Sequence, residues 1–127
     1  MSIYGIGTDI VSINRIKNSL KNKNFIDRIF NEREIFKCKK IKNSANCYAK
    51  RFAAKEAFSK ALGTGISKGI NFKDIIILNK KSGKPYISIT GQTKKTLYKK
   101  FKKKKSKVSL SLSDEKNYAV AFVTISL

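Results

Sequence analysis

A chain without histidine has no imidazole to act as base, proton shuttle or soft metal ligand, and this chain has none. Ser-His-Asp and Cys-His mechanisms are thereby removed, and proton transfer and cation binding fall to Asp, Glu, Lys and water. The carboxylates are few enough to take singly: Asp9, Asp27, Glu32, Glu34, Glu56, Asp74, Asp114 and Glu115. Phe52, Glu56 and Lys60 recur at i, i+4, i+8 in an alanine-rich stretch, so a helix would set them on one face with Ala53 and Ala57 beside them. The plain reading of Glu56 and Lys60 is an exposed ion pair worth about 0.3–0.5 kcal/mol. The plain reading of Asp9 is an N-cap for a helix beginning near Val11. Two hard carboxylates from separate elements could instead share a magnesium ion, which takes oxygen ligands and keeps waters and phosphate oxygens in its octahedron. Spacing alone leaves both readings open.

The elements that must position these groups follow from periodicity. Met1 to Asp9 reads as a strand with Asp9 at its end, Gly5 and Gly7 permitting close backbone approach. Ile13, Ile16 and Leu20 then recur at helical spacing. Phe25 to Lys40 reads as further helical turns broken near Asn31, and Ile41 to Asn46 as a connector. Tyr48 to Leu62 is the best helix, stopped by Gly63-Thr64-Gly65. Phe72 to Leu78 and Pro85 to Ile89 read as a hairpin around Asn79 to Lys84. A helix over Gln92 to Lys105 and strands over Val108 to Ser113 and Tyr118 to Ile125 complete the chain.

At 127 residues and 41% hydrophobic, the expectation is a single domain over 1–127. Met1 to Gly7 shows no basic leader, and no window approaches the roughly 20 apolar residues of a membrane span, so a soluble cytoplasmic protein is expected. Cys38 and Cys47 have no histidine or second cysteine pair with which to complete a zinc site, and unpaired thiols are expected. A formal charge of +21 steers polyanions toward the molecule, whether nucleic acid, anionic membrane or acidic protein.

Three segments stand out in order: Gly5-Ile6-Gly7-Thr8-Asp9-Ile10-Val11; Arg51-Phe52-Ala53-Ala54-Lys55-Glu56-Ala57 continuing to Lys60-Ala61-Leu62-Gly63-Thr64-Gly65-Ile66; and Ser111-Leu112-Ser113-Asp114-Glu115 with Tyr118-Ala119-Val120-Ala121. Together they resemble the bacterial holo-acyl-carrier-protein synthases, the small members of the 4'-phosphopantetheinyl transferase family. The match runs from the first residues to the last and includes Gly83-Lys84-Pro85. The resemblance implies an α+β fold, a small antiparallel sheet packed against a long helix, usually assembled as a homotrimer with coenzyme A sites between subunits. It implies that Asp9 and Glu56 hold Mg2+, with Mn2+ as an alternative. The implied reaction has a carrier-protein serine attack the β-phosphate of coenzyme A, so that phosphopantetheine is transferred and adenosine 3',5'-bisphosphate leaves, in support of fatty acid biosynthesis.

The other roles are carried over by position. Lys60 is carried over as a third catalytic residue, a general base or a phosphate clamp; the clamp is favoured, since an unperturbed lysine titrates near 10.4 and a clamp works while protonated. Arg51, Gly63, Thr64, Gly65, Lys84 and Pro85 match positions near coenzyme A, although a C-cap and a plain turn explain the glycines and Gly-Lys-Pro equally well. Arg15, Lys17 and Lys21 are placed to meet an acidic helix of acyl carrier protein, Arg15 inside Asp-Ile-Val-x-Ile-x-Arg-Ile. Ser12 departs from the glutamate common in the family, and Asp114 follows the members with aspartate rather than histidine. Lys94 to Lys107 reads as a solvated run. A basic nucleic-acid binder, suggested by Tyr98 and Phe101 among lysines, competes but leaves Asp9 and Glu56 without a task. The longer, two-halved transferases compete less well with a chain of this length. No nucleic-acid or membrane partner is expected.

Overall fold

A computed structural model describes residues 1–127. The elements are β1 (Ile3–Ser12), α1 (Ile13–Ser19), α2 (Lys23–Ile29), α3 (Glu32–Lys39), α4 (Ser44–Leu62), a 3-10 turn (Phe72–Asp74), β2 (Ile75–Asn79), β3 (Pro85–Ile89), α5 (Gly91–Lys100), β4 (Lys107–Asp114) and β5 (Tyr118–Ser126). The architecture is α+β: an antiparallel sheet in the order β1-β5-β4 packs on α4, and β2 and β3 form a separate antiparallel pair. The hairpin around Asn79 to Lys84 forms as the sequence predicts, with Asn79 opposite Pro85.

Alternation decides which strand residues meet α4. Gly7 pairs with Val123 and Asp9 with Ala121, and this set faces the helix. The contact is backbone to backbone: a Cβ on Gly7 would lie 1.9 Å from the Ala57 carbonyl oxygen, and one on Gly5 the same distance from that of Ala61. Only hydrogen fits at either glycine. Ala53, Ala54, Ala57 and Ala61 are buried on α4, and one continuous core joins them to Phe30, Phe58, Ile75, Ile77, Val123 and Ile125. The opposite face of the sheet carries Ile6, Thr8 and Ile10 beside Val120, Phe122 and Thr124, bordered by Ser109, Ser111 and Ser113. No charged residue stands among these positions, in a chain that is 29% charged.

Several expectations are corrected. β1 does not end at Asp9, because Ile10 and Val11 continue the alternation and pair with Val120 and Ala119. Asp9 therefore caps nothing. Ser12 is the N-cap of α1, its Oγ accepting the Arg15 N–H at 3.2 Å. α4 begins at Ser44 rather than Tyr48, and α5 stops at Lys100, after which Lys102 and Lys103 take positive φ. Phe72–Asp74 is a 3-10 turn, so that strand starts at Ile75. The break near Asn31 is a capping box in which Asn31 and Glu34 serve each other's backbone N–H groups. Cys38 and Cys47 are not free thiols: the connector between α3 and α4 brings their Cα atoms to 5.5 Å and they form a disulfide. Their spacing in a Lys- and Asn-rich stretch carries no sign of that approach.

Candidate active site

The tight seating of β1 on α4 determines what Asp9 can reach. Lys60, in the last turn of α4, donates to Asp9 Oδ1 at 3.1 Å and to the Thr8 carbonyl at 3.0 Å. The expected Glu56–Lys60 pair along the helix is replaced by this cross-link, because the strand lies nearer to the ammonium than a free helix surface would allow. Glu56 sits one turn before Lys60 and is half-buried. Burial, and then the negative charge of Asp9, push the Glu56 carboxyl above its ordinary value, while Lys60 opposes the shift. Asp9 and Glu56 are thus close enough to repel. Two hard carboxylates and no cluster of three or more metal-ligating side chains suit a cation such as Mg2+, which fills its remaining positions with water and phosphate oxygens.

Gly63, Thr64 and Gly65 follow directly as the C-cap of α4. Gly63 and Gly65 have φ of 83° and 68°, and their N–H groups bond to the carbonyls of Lys60 and Ser59. No atom lies within 4 Å of a Cβ built on either glycine, so the backbone there is open.

A second polar cluster lies further toward the start of the helix. Arg51 is 4% exposed; Nη1 donates to the carbonyl oxygen and Sγ of Cys47, Nη2 to Asn79 Oδ1 at 2.9 Å, and Nε has no partner. A cavity of about 410 Å3 opens here, with Lys37, Asn46, Lys50, Asn79, Pro85 and Asp114 in its wall. Lys37 also donates to Asn79 Oδ1. Burial, then the charges of Arg51 and Lys50, hold Lys37 below the usual lysine range. Asp114 is engaged by Asn46 at 3.0 Å and Lys50 at 3.6 Å. The surplus of cations and the orphaned Nε suit an anion. By the helical rise of 1.5 Å per residue, Arg51 and Lys60 stand about 14 Å apart along α4.

The structure brings Asp9, Glu56 and Lys60 together, and sets Pro85 beside Arg51. The Lys84 side chain stays exposed in the turn. Lys17 and Lys21 line a separate cleft of about 710 Å3 with Lys42 and Lys116, whereas Arg15 lies outside it, two positions from Lys17 and so on another face of α1. Lys37, Asn46, Lys50 and Asn79 were missed. Asn46 and Lys50 are four apart and precede Arg51 on one helix, a signal that a helical projection would have found. Lys37 and Asn79, 42 residues apart, left none.

Residues 5–123 match the 4'-phosphopantetheinyl transferase superfamily, a span that includes every group of both clusters. The chain belongs to this superfamily. Within it, the chain is 54% identical over 125 residues to the holo-[acyl-carrier-protein] synthase of Pelagibacter ubique, covering 98% of each. Among solved structures, the holo-[acyl-carrier-protein] synthase from Neisseria meningitidis superposes with a TM-score of 0.89 at 42% identity, covering 98% of this chain and 99% of that one. The holo-(acyl-carrier-protein) synthase from Bacillus anthracis in complex with CoA (3',5'-ADP) gives 0.82 at 38% identity, covering 98% and 97%. The small transferases of the superfamily thus resemble this chain along its whole length.

Proposed function

We propose that this chain acts as one catalytic domain over 1–127, transferring 4'-phosphopantetheine from coenzyme A to a serine of apo-acyl carrier protein. The products are holo-carrier protein and adenosine 3',5'-bisphosphate, in support of fatty acid biosynthesis in the cytoplasm. The observation that carries the reading is the pair of clusters on α4, with carboxylates and an ammonium at one and a cationic pocket at the other, in a chain of this superfamily. A span of about 14 Å suits a nucleotide whose phosphates reach from one to the other.

Asp9 and Glu56 hold Mg2+, or Mn2+ in its place, which when bound neutralises charge on the pyrophosphate. Lys60 is a clamp: an ammonium has three protons, two are taken by Asp9 and Thr8, and the third is left for a phosphate oxygen. Arg51, Lys37 and Lys50 bind the phosphates of the nucleotide end, with Pro85 against it and Lys84 beside the mouth. The open backbone at Gly63, Thr64 and Gly65 admits close approach of phosphate oxygens. The serine proton passes to water or to a carboxylate.

Arg15, Lys17 and Lys21 receive the acidic carrier protein, a docking that weakens with salt. The centre of the outer face of the β1-β5-β4 sheet, which carries no charge, supports assembly as a homotrimer, since exposed Ile6 and Ile10 at 61% and 64% lie beside Phe122 with nothing of this chain over them. No helix is long and apolar enough to cross a membrane. The nucleic-acid reading loses part of its motif, because Phe101 is buried against Tyr4 and only Tyr98 stays exposed among the lysines.

The test is incubation with coenzyme A, Mg2+ and apo-acyl carrier protein, followed by intact mass spectrometry. Addition of one phosphopantetheine is expected, and none with the Asp9→Ala Glu56→Ala protein. Absence of transfer to a validated apo carrier with both Mg2+ and Mn2+ would overturn the reading.

A further inference from the structure

The charged pair Glu34 and Lys55 takes no part in the chemistry described so far, yet both side chains are wholly buried. Lys55 Nζ donates to Glu34 Oε1 at 2.8 Å, to the Phe72 carbonyl at 2.8 Å and to the Ile75 carbonyl. All three ammonium protons are engaged. Glu34 in turn accepts the Asn31 N–H at 3.0 Å on Oε1 and the Ile77 N–H at 3.2 Å on Oε2. Two side chains thereby tie the start of α3, the middle of α4, the 3-10 turn and β2. A buried ion pair of this kind is often no more stable than apolar residues of the same volume, so its persistence calls for another account.

The rest of the α4 interface suggests one. Toward β1 the helix presents Ala57 and Ala61 against Gly5 and Gly7, surfaces with almost no relief. Ridges that lock into grooves fix a helix about its own axis, and a glycine-alanine contact has few. Glu56 is adjacent to Lys55, about 100° further around α4. A roll of about 20° would carry a carboxylate about 5 Å from the axis through about 2 Å, against the roughly 0.5 Å that a functional constellation tolerates.

We propose that Glu34 and Lys55 are positioning residues for the transfer reaction: their buried pair sets the roll of α4 and so aims Glu56 at Asp9. This rests on the reading of Asp9 and Glu56 as the cation pair. Lys55 holds α4 from the side away from β1, where two of its partners are main-chain carbonyls and the third, Glu34, is itself tied to the Asn31 and Ile77 N–H groups. The glycines set how near the helix comes, and the pair sets which way it faces.

The decisive variant is Glu34→Leu Lys55→Met, which removes both charges at nearly constant volume and avoids the single Lys55→Met change that would strand a buried carboxylate. Mn2+ alone is titrated into wild type and variant by electron paramagnetic resonance, alongside kcat, KM for carrier protein and adenosine 3',5'-bisphosphate affinity. The expected result is a folded variant with Mn2+ affinity and kcat each reduced at least fivefold, and with carrier KM and bisphosphate affinity within twofold of wild type. Mn2+ affinity and kcat within twofold of wild type would overturn the proposal and leave the pair a strut. Glu34→Asp, which keeps both charges and shortens one arm by a methylene, serves if the double variant does not fold. The same split is expected from it, and a folded Glu34→Asp protein with unchanged Mn2+ binding counts against the proposal equally. Wild-type transfer in the mass assay stands apart from both, so failure of the pair's role and failure of the enzymatic reading are separable.

Discussion

Lys37 and Arg51 donate to one acceptor, Asn79 Oδ1, so two cations are held together without a carboxylate between them. In the free protein this crowding, with burial as the larger cause, holds Lys37 below 10.5. The charged form is therefore the disfavoured one: the penalty is present at low pH and is relieved as pH rises through the lowered value toward 10.5. A bound phosphate reverses the sign by favouring the charged form, and binding then takes up a proton between the two values. Affinity for adenosine 3',5'-bisphosphate should accordingly fall as pH climbs through that window. Calorimetric titrations from neutral to alkaline pH should give a steeper fall for wild type than for Lys37→Met; parallel curves would sink the assignment. This cluster was only partly legible. Arg51 stood out by its place in Arg51-Phe52-Ala53-Ala54-Lys55-Glu56-Ala57, but no spacing rule joins Lys37 to Asn79, which belong to different elements and meet only in three dimensions. Ser12 was visible as a departure, and the structure gives it a local task as the cap of α1.

Elements were more legible than contacts between them, because alternation and helical spacing are properties of a short window. Where boundaries shifted, tertiary pairing prevailed: β1 runs on to Ser12 because β5 offers partners as far as Tyr118. The glycines of β1 showed that a close approach was wanted, but not to what. With α4 identified, Gly7→Ala has a definite consequence, since the new methyl would meet main chain at 1.9 Å and no side chain can yield. Loss of about 3 kcal/mol or more is expected in urea unfolding, with transfer activity reduced beyond the folded fraction because Asp9 and Glu56 are forced apart. A Gly7→Ala protein of wild-type stability would contradict the described contact. The disulfide was the element-level surprise, joining residues nine apart across the α3–α4 connector. Closing so short a loop restricts the unfolded chain by about 2–3 kcal/mol. Reduced protein should unfold at lower urea by that amount, and coincident curves would indicate that the connector is already ordered without the bond.

At the scale of the whole molecule, charge is unevenly spread: lysines crowd the helices and turns, while the outer sheet face, apart from Lys107 at the end of β4, has none. Phe122→Lys places a charge at its centre, on a residue 44% exposed, where the isolated chain should tolerate it. Light scattering should show a trimer for wild type and a monomer for the variant, with unfolding of the monomer little changed. An unaltered oligomer would direct attention to another surface. The sheet itself has a further property. Its central strand is β5, and the Thr8 hydroxyl bonds to the Ala121 carbonyl 113 residues away. Within residues 1–127, β1 is made well before β5, the strand it pairs with. Such long-range pairing is slow and leaves the backbone edge of β1 that faces β5 unpaired meanwhile. A nascent chain halted before residue 118 therefore carries Asp9 and Glu56 with β1 seated on α4 alone, without the neighbouring strand that pairs with it from Ile3 to Ser12. The carboxylate pair thus depends on a strand, β5, that contributes no residue to it.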